Sequence, residues 1–438
     1  MCRRESVVVL VLGDLGRSPR MQYHALSLAN QAGKFVNFVG YSGSDLHERI
    51  ESNPNIAIHR LSPFSYSLPK SLSFLFIFYA FIKLTYQACQ LLCTLLFTVR
   101  PPSFILVQNP PSLPTLSVVQ FVCTVRCCRL VIDWHNFGYS LLGLRLGKNH
   151  PVVKIAYWYE RLCGKGAYAN FCVSNSMKNF LRAEFNIEAI VLYDRSPEFF
   201  CKTSLIEQHQ LFSRLQEEKS LKELSGWIPS AKNDEESTMF SKIDNNGEYE
   251  FRQDRPVLII SSTSWTPDED FSILLDAIEL LERTPKAEPN FLFLITGKGP
   301  EKEFYEQKIR SMNLIRCKVI TLWLEAADYP RLLGCADLGV CLHSSSSGLD
   351  LPMKVVDMFG CSIPVCAVDF NCISELVHHD ENGLLFKDSR HLASQIENLF
   401  SEFPYQTDQL DAMREKIKDF QTIRWSDSWR ENALPIFS

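Results

Sequence analysis

A lysine, two aspartates and a run of serines lie close together in LHSSSSGLDLPMKVVDMFG, residues 342–360. Lys354 and Asp357 are three residues apart, so on a helix they share a face. Ser346, Ser347 and Gly348 precede them, Asp350 lies between, and Pro352 and Gly360 suit the two ends of a helix. Free N–H groups of a Ser/Gly loop and the positive end of a helix dipole make an anion site. A cation near a diphosphate and a carboxylate one turn deeper, facing sugar hydroxyls, suit a nucleotide-sugar donor. The same stretch also fits a helix-capping loop with a solvated Lys–Asp pair.

A second constellation is Asp133-Trp134-His135-Asn136, at the end of an apolar run. An imidazole there can act as a base, with a carboxylate beside it to orient the ring. His135 is the first candidate, Asp14 the second and Asp133 the third, against the ordinary alternative of a structural histidine. Gly13-Asp14-Leu15-Gly16 lets backbone approach a ligand and puts Arg17 and Arg20 beside it. It is too short for a GxGxxG fingerprint, which speaks against bound NAD. Gly297-Lys298-Gly299 is no Walker A loop, but a Gly-rich turn with a cation suits a diphosphate.

The elements that position these residues alternate strand and helix. Apolar runs at Val7–Leu12, Phe35–Val39, Ile56–Leu61, Phe104–Val107, Leu130–Asp133, Phe171–Val173 and Ile190–Leu192 mostly end in polar loops. The pattern restarts at Val257–Ser261, whose loop holds Ser264 and Trp265, and continues at Phe291–Ile295, 336–341 and Ile363–Val368. Thr266-Pro267-Asp268-Glu269 reads as a capping box. Strand, polar loop and helix in repetition predict two parallel α/β domains with ligands at the carboxyl ends of the strands, facing a central cleft. The expected division is 1–201, a polar and partly disordered linker or insertion at 202–255, 256–407, and a helical tail at 408–438.

The chain has 438 residues, enough for two domains, and a net charge of −5, which gives no argument for nucleic-acid binding. Most of its 15 cysteines stand in apolar runs without metal-ligand spacing, so a reducing compartment and no protein-held metal are expected. Val7–Leu12 is too short for a signal-peptide core. Between Ser71 and Val99 the only charge is Lys83, dividing the segment into apolar halves of 12 and 16 residues. Two interfacial or half-inserted helices are expected there, with buried core helices as the alternative.

GDLGRSPRMQYHALSLA, LVQNPPSLPTL, LVIDWHNFGYSLLGL, YDRSPEFF, SSTSWTPDEDFSILLDAI, ITGKGP and the stretch from Leu324 to Val368 together resemble the chitobiosyldiphosphodolichol β-mannosyltransferases (glycosyltransferase family 33). The resemblance runs from Val7 to about Trp429 and is weak only in 202–255. It implies a GT-B fold and transfer of the first mannose of the N-glycan precursor, β1,4, from GDP-mannose to GlcNAc2-diphosphate-dolichol. Configuration then inverts, so a single displacement with a general base is expected. No cofactor is held by the protein, and a divalent cation at most stimulates. The donor would fall to Gly297, Lys298, Gly299, Ser264, Trp265, Ser346 to Gly348, Asp350, Lys354 and Asp357. The acceptor or its phosphates would meet Gly13, Gly16, Arg17, Arg20, Arg195 and the loop at His135. Attachment to the endoplasmic reticulum membrane, a cytosolic active site and association with other early N-glycan-assembly glycosyltransferases follow from the same resemblance.

The chain departs from the family in starting almost at its first strand, where animal and fungal members carry an anchor, and in Ser196 before Pro197. Asp357 stands near the distal glutamate of the retaining GT-B pattern, and no glutamate precedes it at the usual spacing. Two alternatives stay open: a UDP-sugar-dependent lipid glycosyltransferase, and a catalytically inactive paralogue that binds partners in the assembly complex.

Overall fold

A computed structural model of the chain describes residues 5–64, 76–217, 221, 224, 227, 237–266, 269–284, 289–325 and 327–438, with Phe76 and Ile77 as backbone alone. The chain divides into two compact units, residues 1–194 with 425–438, and residues 195–424.

The first unit holds a parallel sheet of β1 (Ser6–Asp14), β2 (Phe35–Tyr41), β3 (Ile56–Leu61), β4 (Phe104–Asn109), β5 (Arg129–Trp134), β6 (Ala169–Cys172) and β7 (Ile190–Val191). Their order is β3-β2-β1-β4-β5-β6-β7. β1 is buried over its first seven residues, because a central parallel strand is covered on both faces and so is apolar at every position. The unit's longer helices are α1 (Pro19–Asn30), α2 (Phe76–Cys93), α3 (Thr115–Arg126), α4 (Gly138–Leu146) and α5 (Pro151–Gly164). The winding reverses between β1 and β4. Right-handed crossovers therefore carry α1 to one face of the sheet and α3 and α5 to the other.

α2 corrects one expectation. Lys83 does not divide the segment: a single helix runs through it and on into a π-helical turn, Thr94–Thr98. Lys83 is exposed on its surface, so no helix break is needed to accommodate the charge. The stretch Phe78–Thr98, 21 residues of mean hydropathy 1.3, is long and apolar enough to cross a membrane by length and composition. The expected segment's first residues, 71–75, lie outside the described ones.

The second unit opens with α6 (Leu205–Glu217) and the hairpin β8 (Ser241–Ile243)–β9 (Tyr249–Phe251). A second parallel sheet follows: β10 (Val257–Ser262), β11 (Phe291–Thr296), β12 (Cys317–Leu322), β13 (Leu338–Cys341), β14 (Val365–Val368) and β15 (Gly383–Phe386). Its order is β12-β11-β10-β13-β14-β15, so the winding reverses between β10 and β13. α7 (Ser272–Glu282) packs its Leu274, Leu275 and Ile278 into the core. α8 (Met353–Gly360) and α9 (Asp408–Gln421) also belong here.

Where 202–255 is described, it is structured rather than a linker. Leu211, Phe212 and Leu215 of α6 are buried, with Phe212 against Phe240 at 4.3 Å between ring centroids. Three apolar residues in a polar sequence suffice because the helix needs only one covered face. The C-terminal tail is two helices. α9 stays with the second unit, while α10 (Trp425–Asn432) rejoins the first, where Trp425 Nε1 donates to Ser27 Oγ at 3.1 Å. α8 begins at Met353, with Pro352 extended just before it, one residue later than expected.

Candidate active site

β5 delivers Asp133, and one residue beyond the strand His135, to the carboxyl end of the first sheet, close to the reversal between β1 and β4. In open α/β sheets that is where ligands bind. The Asp133 carboxylate is fully buried. Its Oδ2 accepts from Arg20 Nε at 2.8 Å and lies 2.8 Å from His135 Nε2 and 3.1 Å from His24 Nε2. Its Oδ1 accepts from Arg20 Nη2 at 2.9 Å. Burial pushes the Asp133 carboxyl up, but Arg20 and His135 outweigh it and hold it well below the usual carboxylate range. Asp133 is thus a fixed anion and no base. It orients the His135 ring, which is 20% exposed.

Arg20 is the counter-ion of this centre. Nη1 donates to Asp194 Oδ1 at 2.8 Å and to the Leu192 carbonyl at 2.9 Å, and the side chain is 1% exposed. The expected second phosphate cation is therefore committed inside the unit and cannot reach a ligand. Arg17, in contrast, is exposed. Asp14 ends β1 and accepts from Gly16 N at 3.1 Å and from Ser44 N and Oγ at 3.0 and 2.8 Å. The second candidate base is occupied in tying two loops together, Gly13 and Gly16 among them.

Three residues of this centre were not singled out in the sequence. Trp429 Nε1 donates to His24 Nδ1 at 3.0 Å, so His24 carries its proton on Nε2 and donates it to Asp133. Burial pushes the His24 imidazole down, which keeps it neutral. Glu160 is buried and accepts from Gly138 N at 2.8 Å, Tyr139 N at 3.3 Å and Asn109 Nδ2 at 3.0 Å. It thereby anchors the N-terminus of α4 directly behind the His135 loop.

In the second unit the strand ends of β10 and β11 and the start of α8 converge. Gly297 has φ +133°, and a Cβ there would overlap the Thr263 carbonyl oxygen, as one at Gly299 would overlap that of Ser264. Only glycine allows these two loops to touch. Lys354, 25% exposed, pairs with the buried Glu269. Glu269 also accepts from Thr263 Oγ1 at 2.6 Å and Ser264 N at 2.7 Å. Burial pushes Glu269 up, but Lys354 and these donors hold it below the usual range. Through Glu269 the ammonium is tied to the Thr263–Ser264 loop, which the glycine turn touches. Lys298 Nζ lies 3.7 Å from the Trp323 ring centroid.

Asp350 gathers the serine loop: Ser345 Oγ and, at 3.3 Å, Ser347 Oγ donate to its Oδ1, and His343 Nε2 lies 3.1 Å from its Oδ2. Gly348 has φ +73° and donates its N–H to Ser345 Oγ at 2.9 Å. Ser346 belongs to this loop, and Asp357 lies on α8 with Lys354. Two expectations are corrected. Trp265 is 1% exposed and packs on Phe271 at 4.6 Å, so its ring is core and not a donor contact. Glu269 does not close a capping box: α7 starts at Ser272, because Lys354 and Thr263 claim the carboxylate. Pro267 and Asp268 lie outside the described residues. Arg195 falls in the second unit, where it donates to the Phe420 carbonyl at 3.2 Å and lies over its ring. Among the described residues no three His, Cys, Asp or Glu side chains converge as metal ligands.

Residues 255–402 match the family model of the group 1 glycosyl transferases, which covers most of the second unit. A chitobiosyldiphosphodolichol beta-mannosyltransferase of Pongo abelii is 46% identical over 98% of this chain and 92% of its own. The chain belongs to this family. An Arabidopsis thaliana relative named UDP-glycosyltransferase TURAN is 45% identical over 100% of this chain and 98% of its own. Among solved structures, a sucrose-phosphate synthase from Thermosynechococcus elongatus superposes with a TM-score of 0.64 at 13% identity, covering 95% of each chain. That likeness identifies the two-sheet architecture of this family member as a GT-B fold, and the family's chemistry makes it a hexosyltransferase.

Proposed function

We propose that the protein transfers mannose from GDP-mannose to the distal sugar of a chitobiosyl-diphosphate-dolichol acceptor, with inversion at the transferred carbon. The acceptor comes from the names of its relatives. The observation that carries the mechanism is the His135–Asp133 pair, a partly exposed imidazole held by a buried, ionised carboxylate.

Asp133 takes the Nε2 proton of His135 as a hydrogen bond, which leaves Nδ1 as the basic nitrogen. The acceptor hydroxyl gives its proton to that nitrogen as its oxygen bonds to the mannose C1. The C1–O bond to the diphosphate breaks on the opposite side, and GDP leaves with the electron pair. Lys354, steadied by Glu269, and the N–H groups at Gly297–Gly299 offset the charge that builds on the diphosphate. The Asp350 loop and Asp357 face the donor's hydroxyls. A divalent cation stimulates without being held by the protein. Attachment through α2 at the cytosolic face of the endoplasmic reticulum, beside other early N-glycan-assembly glycosyltransferases, suits a lipid acceptor.

The test is transfer to a GlcNAc2-diphosphate-phytanyl acceptor with GDP-mannose and, separately, UDP-sugars, for the unmodified chain and His135→Ala. Transfer from GDP-mannose alone, lost in the variant, is expected. Turnover with UDP-sugars instead would move the reading to the nucleotide in the plant relative's name. A folded protein that binds GDP and turns over no donor would mean an inactive paralogue.

A further inference from the structure

The helical pair α4–α5 carries a surface that the transfer reaction does not use. On α5, Val153, Ala156, Glu160 and Gly164 are buried. Ile155, Trp158 and Leu162 are 65%, 54% and 66% exposed, with Val152 beside them. At about 100° per residue this apolar row lies nearly opposite the buried one. Lys154, Arg161 and Lys165 form a third row that borders the exposed apolar row. α4 repeats the pattern, with Leu141, Leu144 and Leu146 exposed beside Arg145, and Lys148 exposed in the turn that follows.

Charge decides what this surface fits. From Gly138 to Tyr168 there are five lysines and arginines and one carboxylate, Glu160. That carboxylate is buried and bound to Gly138 and Tyr139 N–H. Every outward charge is therefore positive, in a chain whose net charge is −5. The neighbouring helices expose apolar residues as well. α3 exposes Phe121 and Val125, and α2 exposes Phe78 and Phe81. α3 touches both neighbours: Tyr159 Oη of α5 donates to Ser117 Oγ at 2.9 Å, and Arg126 of α3 donates to the Leu96 carbonyl.

We propose that α4–α5 is a second membrane-contacting element, docking flat on a bilayer with anionic headgroups. Ile155, Trp158 and Leu162 enter the acyl boundary while the lysines and arginines reach the headgroups. Arg161 already lies over the Trp158 ring, 4.9 Å from its centroid, as an interfacial pair does. α4 begins three residues after His135, so docking holds the catalytic loop near headgroup level, where a lipid-linked diphosphate presents its sugars. The proposal rests on the lipid-acceptor reading above.

The test uses the full chain and phosphatidylcholine vesicles with or without phosphatidylserine, in sedimentation. Two variants are compared, Lys154→Glu/Lys165→Glu and Ile155→Ser/Trp158→Ser/Leu162→Ser, each alone and with Phe78→Ser/Phe81→Ser to weaken the α2 contribution. The charge variant should lose at least about fivefold of its partitioning onto serine-containing vesicles per lysine reversed, with little change on phosphatidylcholine. The apolar variant should lose binding to both. Thermal midpoints close to the unmodified chain confirm folding; if the apolar variant melts early, the charge variant decides. Unchanged partitioning in the decisive variant overturns the proposal. So does dispersal of a solution dimer with vesicle binding intact, which would make this a protein interface. Transfer to the short-chain acceptor in detergent is measured in parallel and should be unaffected by either variant. Its absence in the unmodified chain would overturn the transferase reading while leaving the vesicle result standing.

Discussion

Trp429 donates its indole N–H to Nδ1 of His24 at 3.0 Å, across 405 residues of sequence. That one bond fixes which nitrogen of His24 carries the proton, and hence what Asp133 receives. Three donors then converge on one carboxylate oxygen, Arg20 Nε, His24 Nε2 and His135 Nε2. The C-terminal helix is thus part of the frame that holds the candidate base.

Trp429→Phe keeps an aromatic ring against Phe437, 6.1 Å from the indole between centroids, and removes the donor together with part of the buried indole volume. His24 Nδ1 is then buried without a partner. A loss of about 1–3 kcal/mol in urea-unfolding free energy is expected, the usual cost of one orphaned buried group. Transfer should fall as well, because His24 can turn over and withdraw its proton from Asp133. A variant as stable and active as the parent would mean that His24 orients itself.

Why some of this could be read from sequence and some could not follows from the distances involved. β1 and β10 are legible because a central parallel strand is apolar at every position. β12 escapes because it is an edge strand with an intermediate Lys318 and Ile320, and β15 because it opens on Gly383 straight after the polar run 378–382. His135 and Asp133 are two apart, so their pairing is local and visible. Arg20 is 113 residues from Asp133 and Lys354 is 85 from Glu269; no spacing rule reaches that far. Arg20 reads as a ligand cation and Glu269 as a capping residue until the fold supplies their partners. Trp265 reads as a loop aromatic because the turn that directs it inward, at φ +51°, leaves no mark in the sequence.

His135→Ala should lower kcat for mannose transfer by roughly 10²–10⁴, the span typical of a lost general base. KM for GDP-mannose should hardly move, since in the proposed mechanism His135 meets the acceptor and not the donor. Asp133→Asn must behave differently. It removes the anion that Arg20, His24 and His135 share, so folding stability should fall by about 3–5 kcal/mol, as for one broken member of a buried ion pair. A stable Asp133→Asn protein with full activity would remove Asp133 from the mechanism.

Stability should fall with acid in two stages. Burial pushes His24 below its ordinary value, and His47, His59 and His209 likewise. As pH drops through about 6.5 the unfolded chain takes up protons before the folded one does. The stabilisation is complete above that pH and declines below it, by up to about 1.4 kcal/mol per pH unit for the fully buried His24 and by less for the others, which solvent screens. Asp133, whose carboxyl is held low, adds its loss only below about pH 4. His24→Gln, able to accept from Trp429 and donate to Asp133, should flatten the first stage. An identical slope from pH 6.5 to 5 would show that folding does not shift the titration of His24.

A chelator should slow transfer by no more than about tenfold, equivalent to roughly 1.4 kcal/mol of barrier. The cations that face the leaving diphosphate in this proposal are side chains, and a metal ion would only supplement them. Complete loss of transfer in EDTA, restored by one divalent cation, would contradict that division.

Lys354 and Glu269 provide the sharpest test of the donor site, because the two substitutions predict different failures. Lys354→Ala removes the cation proposed to face the diphosphate and also leaves Glu269, 2% exposed, as a buried carboxylate without its counter-ion. Both GDP affinity and folding stability should drop. Glu269→Gln removes the carboxylate that steadies the ammonium, while the amide oxygen can still accept from Thr263 or Ser264. Stability should then change little and KM for GDP-mannose should rise about tenfold, as the lysine loses its fixed position. The double variant should bind GDP no worse than Lys354→Ala alone, since Glu269 acts on the donor only through the lysine. That non-additivity, an interaction energy of about 0.5–3 kcal/mol measured by GDP titration, is the signature of a coupled pair. Additive losses would mean that the two residues act on the nucleotide separately and that their contact is only structural.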